Sequence, residues 1–310
     1  MNGKAKVVTI IGAGAWGTTL GNLAFQNRSS VYLWSRHSGE DLRSVVCTAD
    51  VVVSAVSIKG VPPTIEKLQK IGLPEGTILL TATKGLDPVT TKTAFHLWRE
   101  AFPNFPLVVL SGPNLSKEID RGLPAATVVS SYEKTAAETV QFLFASEKFR
   151  VYINDDPLGT ELGGTLKNVM AIASGVCDGL QLGTNAKSAL LTRALPEMVR
   201  VGTALGGRAE TFFGLSGLGD LLATCNSPLS RNYQVGYQLS LGLSLAEILE
   251  RLEGTAEGVN TTEVLIRIAG DKNLYVPIAV QVHRLLQGEI TPAEAVTELM
   301  RRDLKSEFDR

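Results

Sequence analysis

Along the first half of the chain, short apolar runs alternate with amphipathic stretches. The runs at residues 7–11, 31–34, 51–56, 77–83, 107–110, 127–130 and 151–153 are rich in valine, isoleucine and leucine. Most are apolar on both alternating faces, which predicts strands covered by helices on both sides. Segments 16–26, 65–70 and 136–145 between them predict helices, and the rhythm builds βαβ units into a mainly parallel, doubly wound sheet. Beyond about Asp156 the strand-like runs stop. Helical patterns follow at 159–175, 186–205, 245–252, 262–269, 278–286 and 293–302. Thr291-Pro292-Ala293-Glu294 and Ser244-Leu245-Ala246-Glu247 read as capping boxes, the first with proline at the first helical position. The expected architecture is therefore an α/β half, residues 1–154, followed by an all-helical half, residues 155–310, with a ligand cleft between them.

Composition narrows the chemistry. A chain of 310 residues has room for two cores. With 30 basic against 31 acidic residues, the net charge is −1. No charge block suggests a nucleic-acid arm or a membrane-binding patch, so an anionic ligand must be held by a few placed groups. Cys47, Cys177 and Cys225 are widely separated, which predicts reduced, buried thiols and neither a disulfide framework nor a zinc site. The histidines, His37, His96 and His283, are scattered and support neither a metal cluster nor a Ser–His–Asp triad, so no metal is expected. No apolar run approaches the ~20 residues of a membrane helix, and the first run is too short for a signal-peptide core. A cytoplasmic location without membrane insertion is expected.

The run at 7–11 leads directly into Gly12-Ala13-Gly14-Ala15-Trp16-Gly17, a G-x-G-x-x-G pattern opening a predicted helix. Such a pattern is weak alone, but after a buried strand at the head of a βαβ unit it predicts a Rossmann-type dinucleotide site. Gly12 permits the tight turn, Gly14 lets backbone approach a pyrophosphate, and Gly17 lets helix pack on strand. The helix N-terminus, with Ala15 and Trp16, offers free N–H groups to the phosphates. At the tip of the second strand stand Ser35, Arg36 and His37 rather than a carboxylate. A carboxylate would bind a ribose 2′-hydroxyl, whereas this trio can donate to a 2′-phosphate; NADP is favoured, with NAD open.

Two lysines stand out. Lys84 follows a predicted strand, where doubly wound folds bind ligands. Lys167 lies in Glu161-Leu162-Gly163-Gly164-Thr165-Leu166-Lys167-Asn168 among small and apolar neighbours. On position alone, a snorkelling surface lysine is the simpler reading.

Together with Gly214–Cys225, Ser227-Pro228-Leu229-Ser230-Arg231-Asn232 and Ala256–Val259, these stretches carry a family likeness. The chain resembles bacterial NAD(P)-dependent glycerol-3-phosphate dehydrogenases over nearly its whole length. The resemblance implies an N-terminal Rossmann domain, an all-α C-terminal domain of the 6-phosphogluconate dehydrogenase C-terminal-like type, and reversible reduction of dihydroxyacetone phosphate for glycerophospholipid synthesis. It implies Lys167 as acid/base, with Asp220 holding it in register. Lys84, Gly112, Asn114, Asn168, Thr224, Ser230, Arg231 and Asn232 are implied at the substrate. Lys84, Ser116, Arg231, Thr255 and Glu257 are implied at the cofactor. Gly112 is expected to offer backbone N–H groups, and Arg231 a fork for phosphate oxygens.

The likeness has departures. Only residues 37–49 separate Arg36 from the next strand, a marked shortening. Asn114 and Ser116 stand where the family has Ser or Thr and Ala, and Ser57 stands for a proline. The rival readings are a related hydroxyacid or ketopantoate dehydrogenase and a non-catalytic NADP sensor. A homodimer is the default assembly. Product inhibition is plausible for such a reaction, though no separate effector site is visible.

Overall fold

The computed structural model describes residues 5–252, 254–304, 306 and 307. Seven strands form one sheet: β1 (Val7–Ile11), β2 (Ser30–Trp34), β3 (Val51–Ser54), β4 (Ile78–Thr81), β5 (Leu107–Ser111), β6 (Ala125–Ser130) and β7 (Phe149–Asn154). Their order is β2-β1-β3-β4-β5-β6-β7. The first five run parallel, and β6 is antiparallel to β5 while β7 is parallel to β6. Because β2 and β3 lie on opposite sides of β1, the crevice beyond the ends of β1 and β3 is the topological switch point, where such sheets bind ligands.

The helices α1 (Ala15–Gln26), α2 (Leu42–Val46), α3 (Val61–Ile71), α4 (Ala94–Ala101), α5 (Ser116–Asp120) and α6 (Lys134–Phe144) cover the sheet. Leu20 and Leu23 of α1 and Val140 and Phe144 of α6 pack with Val8, Ile10, Val53 and Val108 on one face. On the other, Val45, Ile65, Leu68 and Trp98 pack with Ile11, Val52, Leu79 and Val109. The central strands β1, β3, β4 and β5 thus have a mate on each side, as their unbroken apolar runs require, whereas β2 and β7 expose several residues.

The second half is helical: α7 (Pro157–Gly179), α8 (Gly183–Ala204), α9 (Asp220–Cys225), α10 (Arg231–Ser240), α11 (Leu245–Arg251), α12 (Glu257–Asp271), α13 (Pro277–Leu286) and α14 (Pro292–Met300). Twenty of the 23 residues of α7 are buried, so this helix is the axis of the domain and is built mostly of apolar and small residues for that reason. Asp156 caps it, its carboxylate accepting from Gly159 N at 2.9 Å. The small residues that isolate Lys167 along α7 have a packing purpose as well. A Cβ on Gly175 would strike the Tyr233 carbonyl, and one on Gly236 the Ile172 carbonyl, so α7 and α10 approach backbone to backbone.

Both capping boxes form, at Ser244 and at Thr291. One expectation needs correction: Cys177 and Cys225 are buried, but Cys47 is exposed. It falls at the end of α2, one residue past the face formed by Val45 and Val46. Among the described residues no helix is long and apolar enough to cross a membrane.

Candidate active site

The loop after β1 is built around two steric demands. Gly12 has φ +116°, and a Cβ there would come within 2.6 Å of the Ala55 carbonyl oxygen. Gly17 faces inward, where a Cβ would strike the Gly12 carbonyl. Gly14, by contrast, has nothing within 4 Å of its Cβ direction. It is the N-cap of α1 and supplies no side-chain cap, so the first-turn N–H groups of Ala15, Trp16 and Gly17 face this open space without a capping side chain. A cradle open at Gly14 and closed at Gly12 and Gly17 fits the pyrophosphate of a dinucleotide. At the tip of β2, His37 N donates to Ser35 Oγ at 3.2 Å and Ser38 Oγ to the Ser35 carbonyl at 2.7 Å. That turn leaves Arg36 and His37 exposed. The short segment beyond it is tied back by Trp34, whose indole N–H donates to the Glu40 carbonyl at 2.8 Å.

The two lysines meet at one carboxylate. Asp220, at the start of α9, is 2% exposed. Its Oδ1 lies 3.1 Å from Lys167 Nζ and its Oδ2 lies 2.6 Å from Lys84 Nζ. Lys167 Nζ also donates to Thr224 Oγ1 at 2.5 Å, and Thr224 Oγ1 donates to Asp220 Oδ1 at 3.0 Å. Asp220 and Thr224 are four residues apart and share a helix face. Lys167 is 7% exposed, which excludes the snorkelling surface reading. Burial lowers its pKa to about 8; the Asp220 charge pulls it upward and the neighbouring Lys84 pushes it down again. The opposing effects that the sequence leaves unresolved therefore balance on the low side. Burial raises the Asp220 carboxyl, but the two ammonium groups outweigh it and leave its pKa below the ordinary value.

Around this centre the other candidates divide. Gly112 presents its carbonyl to Lys84, accepting from Nζ at 3.1 Å. Asn114 is half-buried, with Oδ1 accepting from Thr127 at 3.1 Å and a buried Nδ2 without a partner. Asn232 Nδ2 donates to Asn168 Oδ1 at 2.9 Å, while its own Oδ1 accepts from Gly258 N at 2.9 Å. That pair ties α7, α10 and α12 together. Ser230 is the N-cap of α10, its hydroxyl accepting from Tyr233 N. Arg231 is exposed at the start of the same helix and runs against Gly254, where a Cβ would strike it. Thr255 is exposed in the neighbouring loop, and Ser116 is half-buried at the start of α5. Glu257 turns inward: its Oε1 accepts from Ile58 N at 3.3 Å, and its carboxyl lies against Gly85. Burial raises its pKa, against the pull of Ile58 N, Arg231 and Lys59.

One group at this site has no forerunner in the sequence reading. Glu161, on α7, is 1% exposed, and both its oxygens accept from Phe95 N at 3.0 Å. Its neighbours along α7 from Leu158 to Leu166 are all small, apolar or hydroxyl-bearing, a weak signal for a buried carboxyl. A separate cleft of about 940 Å³, lined by Lys187, Leu191, Leu195, Leu218 and Leu222 among others, contains none of the candidate residues.

Two family profiles match the chain. The profile of the NAD-dependent glycerol-3-phosphate dehydrogenase N-terminus matches residues 7–40 and 37–137, and that of the C-terminus matches residues 156–297. The glycerol-3-phosphate dehydrogenase [NAD(P)+] of Nostoc sp. is 61% identical over 302 residues, covering 97% of this chain and 98% of that one. The enzyme of the same name from Acaryochloris marina is 62% identical over 300 residues, covering 97% of each. Among solved structures, the glycerol-3-phosphate dehydrogenase of Coxiella burnetii superposes with a TM-score of 0.92 at 31% identity, covering 96% of this chain and 99% of that one.

Proposed function

The chain belongs to the NAD-dependent glycerol-3-phosphate dehydrogenase family, and from that premise we propose that Lys167 is the acid/base of the reaction. The protein is an oxidoreductase that interconverts dihydroxyacetone phosphate and glycerol 3-phosphate with NAD(P). A bound nicotinamide cofactor supplies the hydride to the carbonyl carbon. In that direction the Lys167 ammonium gives its proton to the carbonyl oxygen, and in reverse the neutral amine takes it back. The observation that carries this reading is the Lys167–Asp220–Lys84 array, with Lys167 and Asp220 buried and Lys84 half-buried. A lysine with a pKa of about 8 populates both protonation states near neutral pH. Lys84 adds a second positive charge beside the oxygen on which negative charge develops. Asp220 orients both cations without donating a proton itself.

The remaining assignments extend the same reading. Arg231, exposed at the head of the ten-residue helix α10, offers a guanidinium fork to the substrate phosphate, helped by the helix N-terminus. Thr224, Asn168, Asn232, Asn114, Ser230 and Gly112 form the walls around it. Gly12, Gly14, Ala15, Trp16 and Gly17 cradle the pyrophosphate, with Ser116, Thr255 and Glu257 at the nicotinamide-side rim. Ser35, Arg36 and His37 favour the 2′-phosphate, so NADPH is the preferred reductant. Residues 1–154 serve as the nucleotide domain and residues 155–310 as the substrate domain. We assign the enzyme to the cytoplasm, to the supply of glycerol phosphate for phospholipids, and to a homodimer.

The test is NADPH oxidation with dihydroxyacetone phosphate, beside NADH, dihydroxyacetone and a Lys167→Ala control. Turnover that needs the phosphate, runs faster with NADPH and vanishes in the variant is the expected result. Equal turnover of the unphosphorylated ketone would remove Arg231 from its role, and an active Lys167→Ala enzyme would remove Lys167 from its own.

A further inference from the structure

The reaction needs Lys84 and Lys167 at a fixed separation, yet they stand on different halves of the molecule. Lys84 lies in the loop after β4 in the nucleotide half, and Lys167 lies on α7 in the helical half. Asp220 links their ammonium ends, but a carboxylate shared by two flexible side chains does not set the distance between two backbones. Something else must.

The stretch from Lys84 to the start of α4 is held by the helical half through Leu86, which is buried in that half's core, and at four polar points. Gly85 has Glu257 Oε2 3.1 Å from its Cβ direction. The Leu86 carbonyl accepts from Asn260 Nδ2 at 2.8 Å, and the Pro88 carbonyl accepts from Arg267. The fourth point is Phe95 N, held by Glu161. Of the four residues supplying these contacts, Glu161 alone shares a helix with Lys167, less than two turns away. Lys84 itself runs across α7 at Gly164, where a Cβ would come within 3.3 Å of its Cε.

We propose that Glu161 is a positioning residue, whose carboxyl, planted on the N-terminus of α4, fixes the Lys84 segment against Lys167. Three observations support it. The carboxyl is 1% exposed and is spent on a backbone N–H of the other half of the molecule, and burying so polar a group is costly unless the contact matters. Its partner lies in the first turn of a helix, where the unpaired N–H groups and the dipole favour an acceptor. Thr93, the N-cap of α4, bonds His96 on one side and Glu161 on the other, and it also bridges to Leu86. A shift of α4 therefore passes directly to the segment that begins at Lys84. Burial raises the Glu161 pKa to about 8, with Thr93 and Phe95 N pulling it down. Near neutral pH the group is thus largely a neutral acceptor, and an amide can replace it.

The proposal rests on the acid/base reading of Lys167, and its test separates the two. The measurement is the pH dependence of kcat/KM for dihydroxyacetone phosphate in the wild type, Glu161→Ala and Glu161→Gln, with Tm of each. The Lys167 ammonium is faced by Asp220, Lys84, Cys225 and the Thr224 hydroxyl. Withdrawal of Lys84 removes the one cation that lowers its pKa. In Glu161→Ala the alkaline limb should therefore move to higher pH, with kcat/KM at pH 7 down on the order of 10- to 100-fold. In Glu161→Gln the limb should return to its wild-type position, with most of the activity. A purely structural role would lower Tm without moving the limb. An unmoved limb in a folded Glu161→Ala enzyme would overturn the proposal, as would a Glu161→Gln limb displaced like that of the alanine variant. Should Glu161→Ala fail to fold, Glu161→Asp takes its place, because its shorter side chain cannot reach Phe95 N and must shift the limb the same way. A wild-type profile with no limb near pH 8 would instead count against Lys167 as the acid.

Discussion

Asp220→Asn is the most informative single change to the lysine array. The carboxylate sits 3.1 Å from one ammonium and 2.6 Å from the other, at 2% exposure. An amide keeps the shape and one acceptor but removes the charge. The buried Lys167 and the half-buried Lys84 then face each other with no carboxylate to offset their repulsion. An opposite charge at this range typically shifts a pKa by about 1–3 units, worth about 1.4 kcal/mol each. Lys167, at about 8 in the parent, should fall by that amount, so that its proton is lost before neutral pH. Since the reduction needs the ammonium, kcat/KM for dihydroxyacetone phosphate should drop roughly 5- to 500-fold at pH 8. Much of the loss should be recovered on acidification to pH 6. The assay is the pH profile of kcat/KM, which reports the free enzyme, run beside a thermal melt to confirm folding. An alkaline limb that stays in place, or moves to higher pH, would refute the reasoning.

Further expectations follow from single contacts. Arg36→Ala should weaken NADPH binding roughly 10- to 100-fold by losing a charge-assisted bond, and leave NADH unchanged in a fluorescence titration. Arg231→Lys keeps the charge but loses the fork, so kcat/KM for the phosphorylated substrate should fall roughly 10- to 100-fold in steady-state kinetics. Glu197, buried and pushed up from 4.5 to about 7, accepts from Ile278 N and Ala279 N at the head of α13. Because its folded pKa is raised, the native state binds more protons than the unfolded chain between pH 4.5 and 7 and loses stability as pH rises through that window. Glu197→Gln lacks this titration but gives up one acceptor. Its Tm relative to the wild type should therefore be lowest near pH 4.5 and climb until about pH 7, as thermal melts across that range will show.

All seven strands lie where the apolar runs predict, and the central ones were the most legible because a strand buried on both faces is confined largely to Val, Ile and Leu. Several helices were not. In α10 only Asn232, Val235, Gly236 and Leu239 are buried, too thin a stripe to stand out, and its fit depends on Gly236 meeting α7 rather than on bulk hydrophobicity. The short helices α2, α5 and α9 span 5–6 residues and offer less than two turns of periodicity. For the site, the glycine fingerprint is readable since each glycine answers a local steric demand. The lysine array is not, because Lys84, Lys167 and Asp220 are far apart along the chain and only the fold brings them together. Residues whose role is to accept from backbone in another element leave still less trace. Glu161 and Glu257 look like ordinary helix glutamates until their partners, Phe95 N and Ile58 N, are known.

The central claim is that the Lys167 ammonium is the proton donor, and chemical rescue tests it most directly. Lys167→Ala should bind NADPH with wild-type affinity and lose turnover by on the order of 10²- to 10⁴-fold, the usual share of a general acid. Added methylammonium should restore turnover in proportion to its concentration, and ammonium ions of lower pKa should follow their acidity. A Lys167→Ala enzyme within tenfold of the wild type, or one that small amines do not revive although it binds cofactor and substrate, would contradict the account.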